Sequence, residues 1–210
     1  MIRKAFVCLS LLVSCRGCPP PSQGSSAVVT NRSATPTTVY VSFGANSAIG
    51  PNDWSFCGDS GGCSFSLASK ASQSLPSFGK ALNATVSFDA QPGCSVTLAE
   101  FNFNIPGWSQ DTANISLVNG WSNVVEIDMS DGMKLGPAFG DASNADAMGV
   151  YPVACDICVA RSQPPCGFDA SGCTESGSCG CKSGTQYNPT PPCQYSFAPG
   201  ETVTIALTSH

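Results

Sequence analysis

A chain of 210 residues with 14 Asp and Glu against 9 Lys and Arg carries a formal charge of −5, so phosphate backbones would be repelled and nucleic acid is not an expected partner. Only 11% of residues are charged, where about 25% is usual in a soluble domain, and the 42% that are hydrophobic suffice for a core. The single histidine, His210, excludes an internal Ser-His-Asp or Cys-His pair and a histidine-based metal site; no cofactor is expected.

Taken in order, the chain begins with a short basic start, Met1-Ile-Arg-Lys4, and an apolar run from Ala5 to Val13. Leu12-Val-Ser-Cys15 has the form of the bacterial lipobox that precedes a lipid-modified cysteine. The run is far shorter than the ~20 residues of a membrane-spanning helix. Residues 1–14 are therefore read as a lipoprotein signal peptide, with an ordinary secretory signal as the alternative, and Cys15 as the lipidation site. More than one acyl chain there gives stable anchoring, so the expected location is a bacterial cell envelope, outside the cytoplasm, or secretion if the lipobox is fortuitous. Loss of Arg3 and Lys4 with the signal takes the charge from −5 to −7. Residues 15–26, with Pro19-Pro-Pro21, read as an extended tether. The folded domain is expected over 27–210.

Strand signals follow. Val39, Val41 and Phe43 form one alternating face, and Val86 with Phe88 another. Phe101, Phe103 and Ile105 alternate with Glu100, Asn102 and Asn104, which puts Glu100 on a wet face. Ile115 and Leu117 then oppose Asn114 and Ser116, ahead of a turn at Asn119-Gly120. In Val124–Met129, Val125, Ile127 and Met129 oppose Glu126 and Asp128, which reads first as a solvated strand face. Asp141 to Met148 is the one short helix candidate, capped by Asp141 or Ser143. From 150 to 193 the strand signal gives way to Pro, Gly and Cys, and Val203, Ile205 and Leu207 restore it. With 21 Gly and 16 Pro punctuating short runs, the fold class is an all-β sandwich with long loops and little helix. The sandwich is expected from 27–149 and 194–210, with a Cys-rich lobe at 150–193. Gly58-Asp-Ser-Gly-Gly62 lacks the Lys and following helix of a phosphate loop and reads as a turn.

The stretch Thr97-Leu-Ala-Glu100-Phe, followed by Ile115-Ser-Leu-Val-Asn-Gly-Trp121, resembles the central signature of the thaumatin-like proteins. Val28-Val-Thr-Asn-Arg32 with Val39-Tyr-Val41 is similar to that family's opening strands, and Tyr187-Asn-Pro with Cys193-Gln-Tyr-Ser-Phe197 to its closing segment. The resemblance implies a β-sandwich facing a disulfide-laced lobe across an acidic cleft, in a family whose members often inhibit fungi and sometimes bind or cleave β-1,3-glucans. That cleft has one Arg, one Glu and three Asp. Only the Glu is clearly kept, as Glu100; two Asp positions are Asn114 and Asn119, and no Arg lies between Arg32 and Arg161. Asp111 matches an Asp outside the set. An amide holds a sugar hydroxyl but does not ionise, so binding survives these changes more readily than catalysis.

Of the 13 cysteines, Cys8 leaves with the signal, Cys15 is taken by lipid and Cys18 lies in the tether, which leaves ten, enough for five disulfides in an oxidising compartment. The resemblance suggests Cys155 with Cys193, Cys158 with Cys181, and Cys166 with Cys173, the others falling among Cys57, Cys63, Cys94 and Cys179. A zinc site on Cys155-Asp-Ile-Cys158 and Cys179-Gly-Cys181 is the rival reading; export and the short second spacing favour disulfides, and no metal is expected.

Trp54, Trp108 and Trp121 lie in or beside turns, where a ring packs on a pyranose or caps a core. Trp121 flanks the amide pair. Asn31, Asn83 and Asn114 head Asn-x-Ser/Thr triplets, unmodified in a bacterial host. The leading expectation is an exported, lipid-anchored, monomeric protein that binds a polysaccharide, β-1,3-glucan or another wall glycan, through Glu100, Asn114, Asn119 and Trp121 without catalysis. The alternatives are a weak endo-β-1,3-glucanase using Glu100 with Asp128, and a structural envelope lipoprotein with no ligand.

Overall fold

A computed structural model of the chain describes residues 24–58, 62–92, 96–117, 121–138, 148–151 and 194–209. The signal at 1–14, Cys15, most of the tether, Cys94, Asn119, the helix candidate up to residue 147, and nearly all of the Cys-rich segment with its three suggested pairings lie outside the described residues. Met148, the last residue of that helix candidate, is in a turn.

The strands are β1 (Ser26–Asn31), β2 (Thr37–Phe43), β3 (Cys63–Leu67), β4 (Ser72–Pro76), β5 (Leu82–Phe88), β6 (Leu98–Phe103), β7 (Asp111–Ser116), β8 (Val124–Met129), β9 (Lys134–Ala138), β10 (Val150–Tyr151), β11 (Tyr195–Phe197) and β12 (Thr202–Ser209). The only helical turn among the described residues is a 3-10 turn at Pro51–Asp53. The all-β, two-sheet architecture read from the sequence therefore holds. β1 starts one residue before the expected domain boundary, and Ser25 ahead of it is already fully buried, its hydroxyl accepting from the Gly200 N–H at 2.9 Å.

One sheet runs β4-β1-β12-β8-β9 and the other β10-β7-β6-β5-β2-β3, with β11 also paired to β7. β1 and β12 are parallel, Ser26 opposite Thr202 through Asn31 opposite Leu207. The period-2 patterns explain why these segments are strands and which way they face. Ala27 and Val29 of β1, Val125 and Ile127 of β8, and Val203, Ile205 and Leu207 of β12 turn inward from the first sheet. They meet Val39, Val86, Phe101, Phe103 and Ile115 of the second in one apolar cluster. Phe101 and Phe103 stack at 4.7 Å, and Phe197 meets Phe103 edge-on. Trp54 is 3% exposed, packed on Phe43 and Phe56, with its indole N–H donating to the Pro76 carbonyl. That ring caps the core and is not a sugar platform. Cys57 and Cys63 form a disulfide that ties the loop after the 3-10 turn to the start of β3.

On the outer face of the first sheet Arg32 follows β1 and crosses β12 to pair with Glu126 at 3.1 Å and with Asp128 of β8; Lys134 of β9 reaches Asp128 at 2.8 Å. Ala206 of β12 faces this way and is nonetheless fully buried; its small side chain leaves room for an arginine to pass.

Candidate functional site

The seven-stranded sheet turns Asn83 and Thr85 of β5, Glu100 and Asn102 of β6, and Asn114 and Ser116 of β7 to its outer face. Each alternates with residues that enter the core. Register aligns them: Thr85 is opposite Glu100, Glu100 opposite Asn114, and Asn83 opposite Asn102. They floor an open depression of about 410 Å³, with Gln194 on the side of β11.

Within it Asn114 Nδ2 donates to Glu100 Oε2 at 2.8 Å. Asn83 Nδ2 donates to Asn102 Oδ1, and Asn102 Nδ2 in turn to Thr112 Oγ1 at 3.1 Å, so the amides are oriented by one another. Glu100 is half-buried as the alternation predicts, but Asn114 and Ser116 are 3% and 4% exposed, so the second strand has no wet face. Burial pushes the Glu100 carboxyl above the usual carboxylate range, and the hydrogen bond from Asn114 opposes that only in part.

Asp128 does not join Glu100. It sits on β8 in the other sheet, pointing away from the core on the opposite side of a sandwich whose sheets lie about 10 Å apart. Its carboxylate is engaged by Arg32 and Lys134. Burial alone would raise its pKa, but the hydrogen bonds from Lys134 and Arg32 and their charges hold it below the usual value. Asp111 is also kept from the depression. It shares the inward side of β7 with Ala113 and Ile115, is 2% exposed, and accepts the Asn104 N–H at 2.7 Å through Oδ1; Oδ2 has no hydrogen-bond partner among the described residues. Among the described residues Glu100 is thus the one carboxylate lining the depression, where two-acid glycoside hydrolysis needs carboxyl groups about 5 to 9.5 Å apart.

Trp121 is 39% exposed. Its neighbour Ser122 exchanges hydrogen bonds with Thr97, which anchors the ring's backbone three residues, or about 10 Å, up the strand from Glu100. Trp108 is 53% exposed in the β6–β7 connection. Asn119 lies outside the described residues. Sequence reading singled out Glu100 and Asn114 but passed over Asn83, Thr85 and Gln194. The first two carried a legible signal, since they alternate with Leu82, Ala84 and Val86.

No family model matches the chain, and no curated protein does. Solved structures do. The thaumatin-like xylanase inhibitor TLXI is 13% identical, with a TM-score of 0.47 over 86% of this chain and 97% of that one. The protein elicitor MoHrip2 from Magnaporthe oryzae is also 13% identical, with a TM-score of 0.42 over 88% of this chain and 99% of that one. Likeness at this level assigns neither family nor activity. Among the described residues no helix is long and apolar enough to cross a membrane, and no group of three or more His, Cys, Asp or Glu is placed to hold a metal.

Proposed function

We propose that this chain is an exported, thaumatin-like binding protein that holds a neutral polysaccharide, β-1,3-glucan or a related wall glycan, in the depression over β5, β6 and β7 without cleaving it. The observation that carries the reading is the make-up of the floor: side-chain amides and hydroxyls around one carboxylate, among the described residues. Amides and hydroxyls both donate and accept, which suits sugar hydroxyls, and a lone carboxyl has no partner for acid–base hydrolysis. Trp121, and Asn119 by its place in the sequence, belong to the same proposal. Export is supported by the Cys57–Cys63 disulfide, which belongs to an oxidising compartment. Anchoring through an acylated Cys15, a monomeric state and the remaining disulfides are part of the same proposal, and mass spectrometry of the purified mature protein reads the lipid and the cysteine oxidation together.

Co-sedimentation with insoluble β-1,3-glucan tests binding. Retention of the intact protein, lost in Glu100→Gln or Asn114→Ala, is the expected result. No retention would favour a structural lipoprotein without ligand. A second reading, a weak endo-β-1,3-glucanase, draws on the raised pKa of Glu100, which suits a general acid. Reducing-sugar release from the same preparation, absent in Glu100→Gln, would establish it in place of binding alone.

A further inference from the structure

A second depression, of about 240 Å³, opens on the same outer face, one strand beyond the first. Tyr40 and Ser42 of β2, Ser64 of β3, and Gln91 with Pro92 of the segment after β5 line it. Tyr40 alternates with the buried Val39 and Val41, so its half-exposed ring lies on the side that Glu100 occupies. The two depressions adjoin along the sheet, Thr85 lining the first and Ser42 the second. Ser42 is opposite Thr85, Thr85 opposite Glu100, and Glu100 opposite Asn114, a straight polar row perpendicular to four strands. Beside the row Ser87, opposite Tyr40, is fully buried and donates to the Ala90 carbonyl at 2.7 Å, which fixes the start of the segment that carries Gln91 and Pro92.

We propose that the depression at Tyr40 is a second subsite of the glycan site, so that a linear glycan chain lies across the strands from Asn114 to Tyr40 and Ser64. The inference rests on the binding role proposed above and adds the direction and length of the ligand. Adjacent strands repeat every ~4.8 Å, so β7 to β3 through β6, β5 and β2 spans about 19 Å. One strand spacing is close to the rise of one unit in an extended glycan, which gives successive sugars a fresh row partner in Glu100, Thr85 and Ser42, beside the nearly buried Asn114 that orients Glu100. Tyr40 then supplies a ring face with a polar tip, the side chain suited to the apolar side of a pyranose. A site confined to the first depression would take a di- or trisaccharide and be indifferent to Tyr40.

The test is calorimetric titration with cello-oligosaccharides and laminari-oligosaccharides of two to six units, on the intact protein and on Tyr40→Ala, Gln91→Ala and Glu100→Gln, each first shown to melt no lower than the parent. In whichever series binds, affinity should rise with length up to about four or five units, the number of strands crossed. Tyr40→Ala should weaken the hexamer about tenfold and leave the dimer unchanged. Gln91→Ala, at an exposed position that leaves packing intact, should act in the same sense. Glu100→Gln should weaken every length. Affinity that is flat beyond the dimer, Tyr40→Ala losing short and long ligands alike, or a retained polymer with no oligosaccharide binding would overturn the second subsite and leave the binding role standing. No binding of polymer or oligomer would overturn both.

Discussion

Two acidic residues on opposite faces give the molecule opposed responses to pH. Folded Glu100 keeps its proton to a higher pH than the unfolded chain does. Its contribution to stability is therefore intact below the ordinary value of 4.5 and is lost as pH rises through the raised folded value. Asp128 is depressed below 3.8, so its contribution is present above that value and disappears as pH falls through the folded one. Glu100→Gln should accordingly melt at or above the parent temperature at pH 7, with the gap closing as pH drops to about 4; a gap that persists in acid would refute desolvation as the cause. Gly44 supplies a second test at this scale. A Cβ there would sit 1.5 Å from Asn83 Oδ1, the end of a side chain that is able to swing away. Gly44→Ala should therefore lose the Asn83–Asn102 hydrogen bond, at a cost of about 0.5 to 1.5 kcal/mol, and weaken glycan binding, which paired melting and titration curves would show. The wet placement of Glu100 and Asp128 was legible from alternation. The burial of Asn114 was not, because a period of two says that two faces differ and nothing about what lies over either.

The strand connections depend on a few buried polar side chains. Asp111 holds the Asn104 N–H, and Asn104 has a φ of 52°, a backbone conformation that needs such support in a non-glycine residue. Asp111→Ala should cost about 1 to 3 kcal/mol in chemical denaturation through an orphaned N–H. Asn31 spans more: its amide donates to the carbonyls of Thr35, Leu67 and Ala68, and its oxygen accepts from Ser33, which ties the β1–β2 turn to the end of β3. The triplet it heads is a glycosylation signal in form only, since Asn31 is fully buried. Strand identity was readable from Val39 and Val41, from Phe101 and Phe103, and from Val203, Ile205 and Leu207, which enter the core, and from Phe43, which packs against it. Pairing was not, because the partners of each strand are set by loops that carry no periodic signal. That gap is why Glu100 and Asp128, both on wet strand faces, looked combinable and are in separate sheets.

At the scale of the whole molecule the sandwich is closed by β12, which lies between β1 and β8. Arg32 spans the same junction from outside through Glu126 and Asp128. Exposed ion pairs are worth about 0 to 1 kcal/mol each, so Arg32→Met should destabilise only slightly, and the response should shrink further in high salt. Ile205→Ala at the centre of β12 should cost about 2 to 5 kcal/mol, since that side chain is fully buried between the sheets. Denaturant melts of the two variants would rank them in that order.

The parallel pairing of Ser26 with Thr202 joins positions 176 residues apart. A polypeptide threaded through a translocation pore with its amino end leading would present β1 long before its neighbour arrives. Until then the first strand has an unfilled edge, open to foreign strands. Completion of this sheet thus falls after nearly the whole chain has emerged, which leaves β1 with an open edge for the longest part of the chain's assembly.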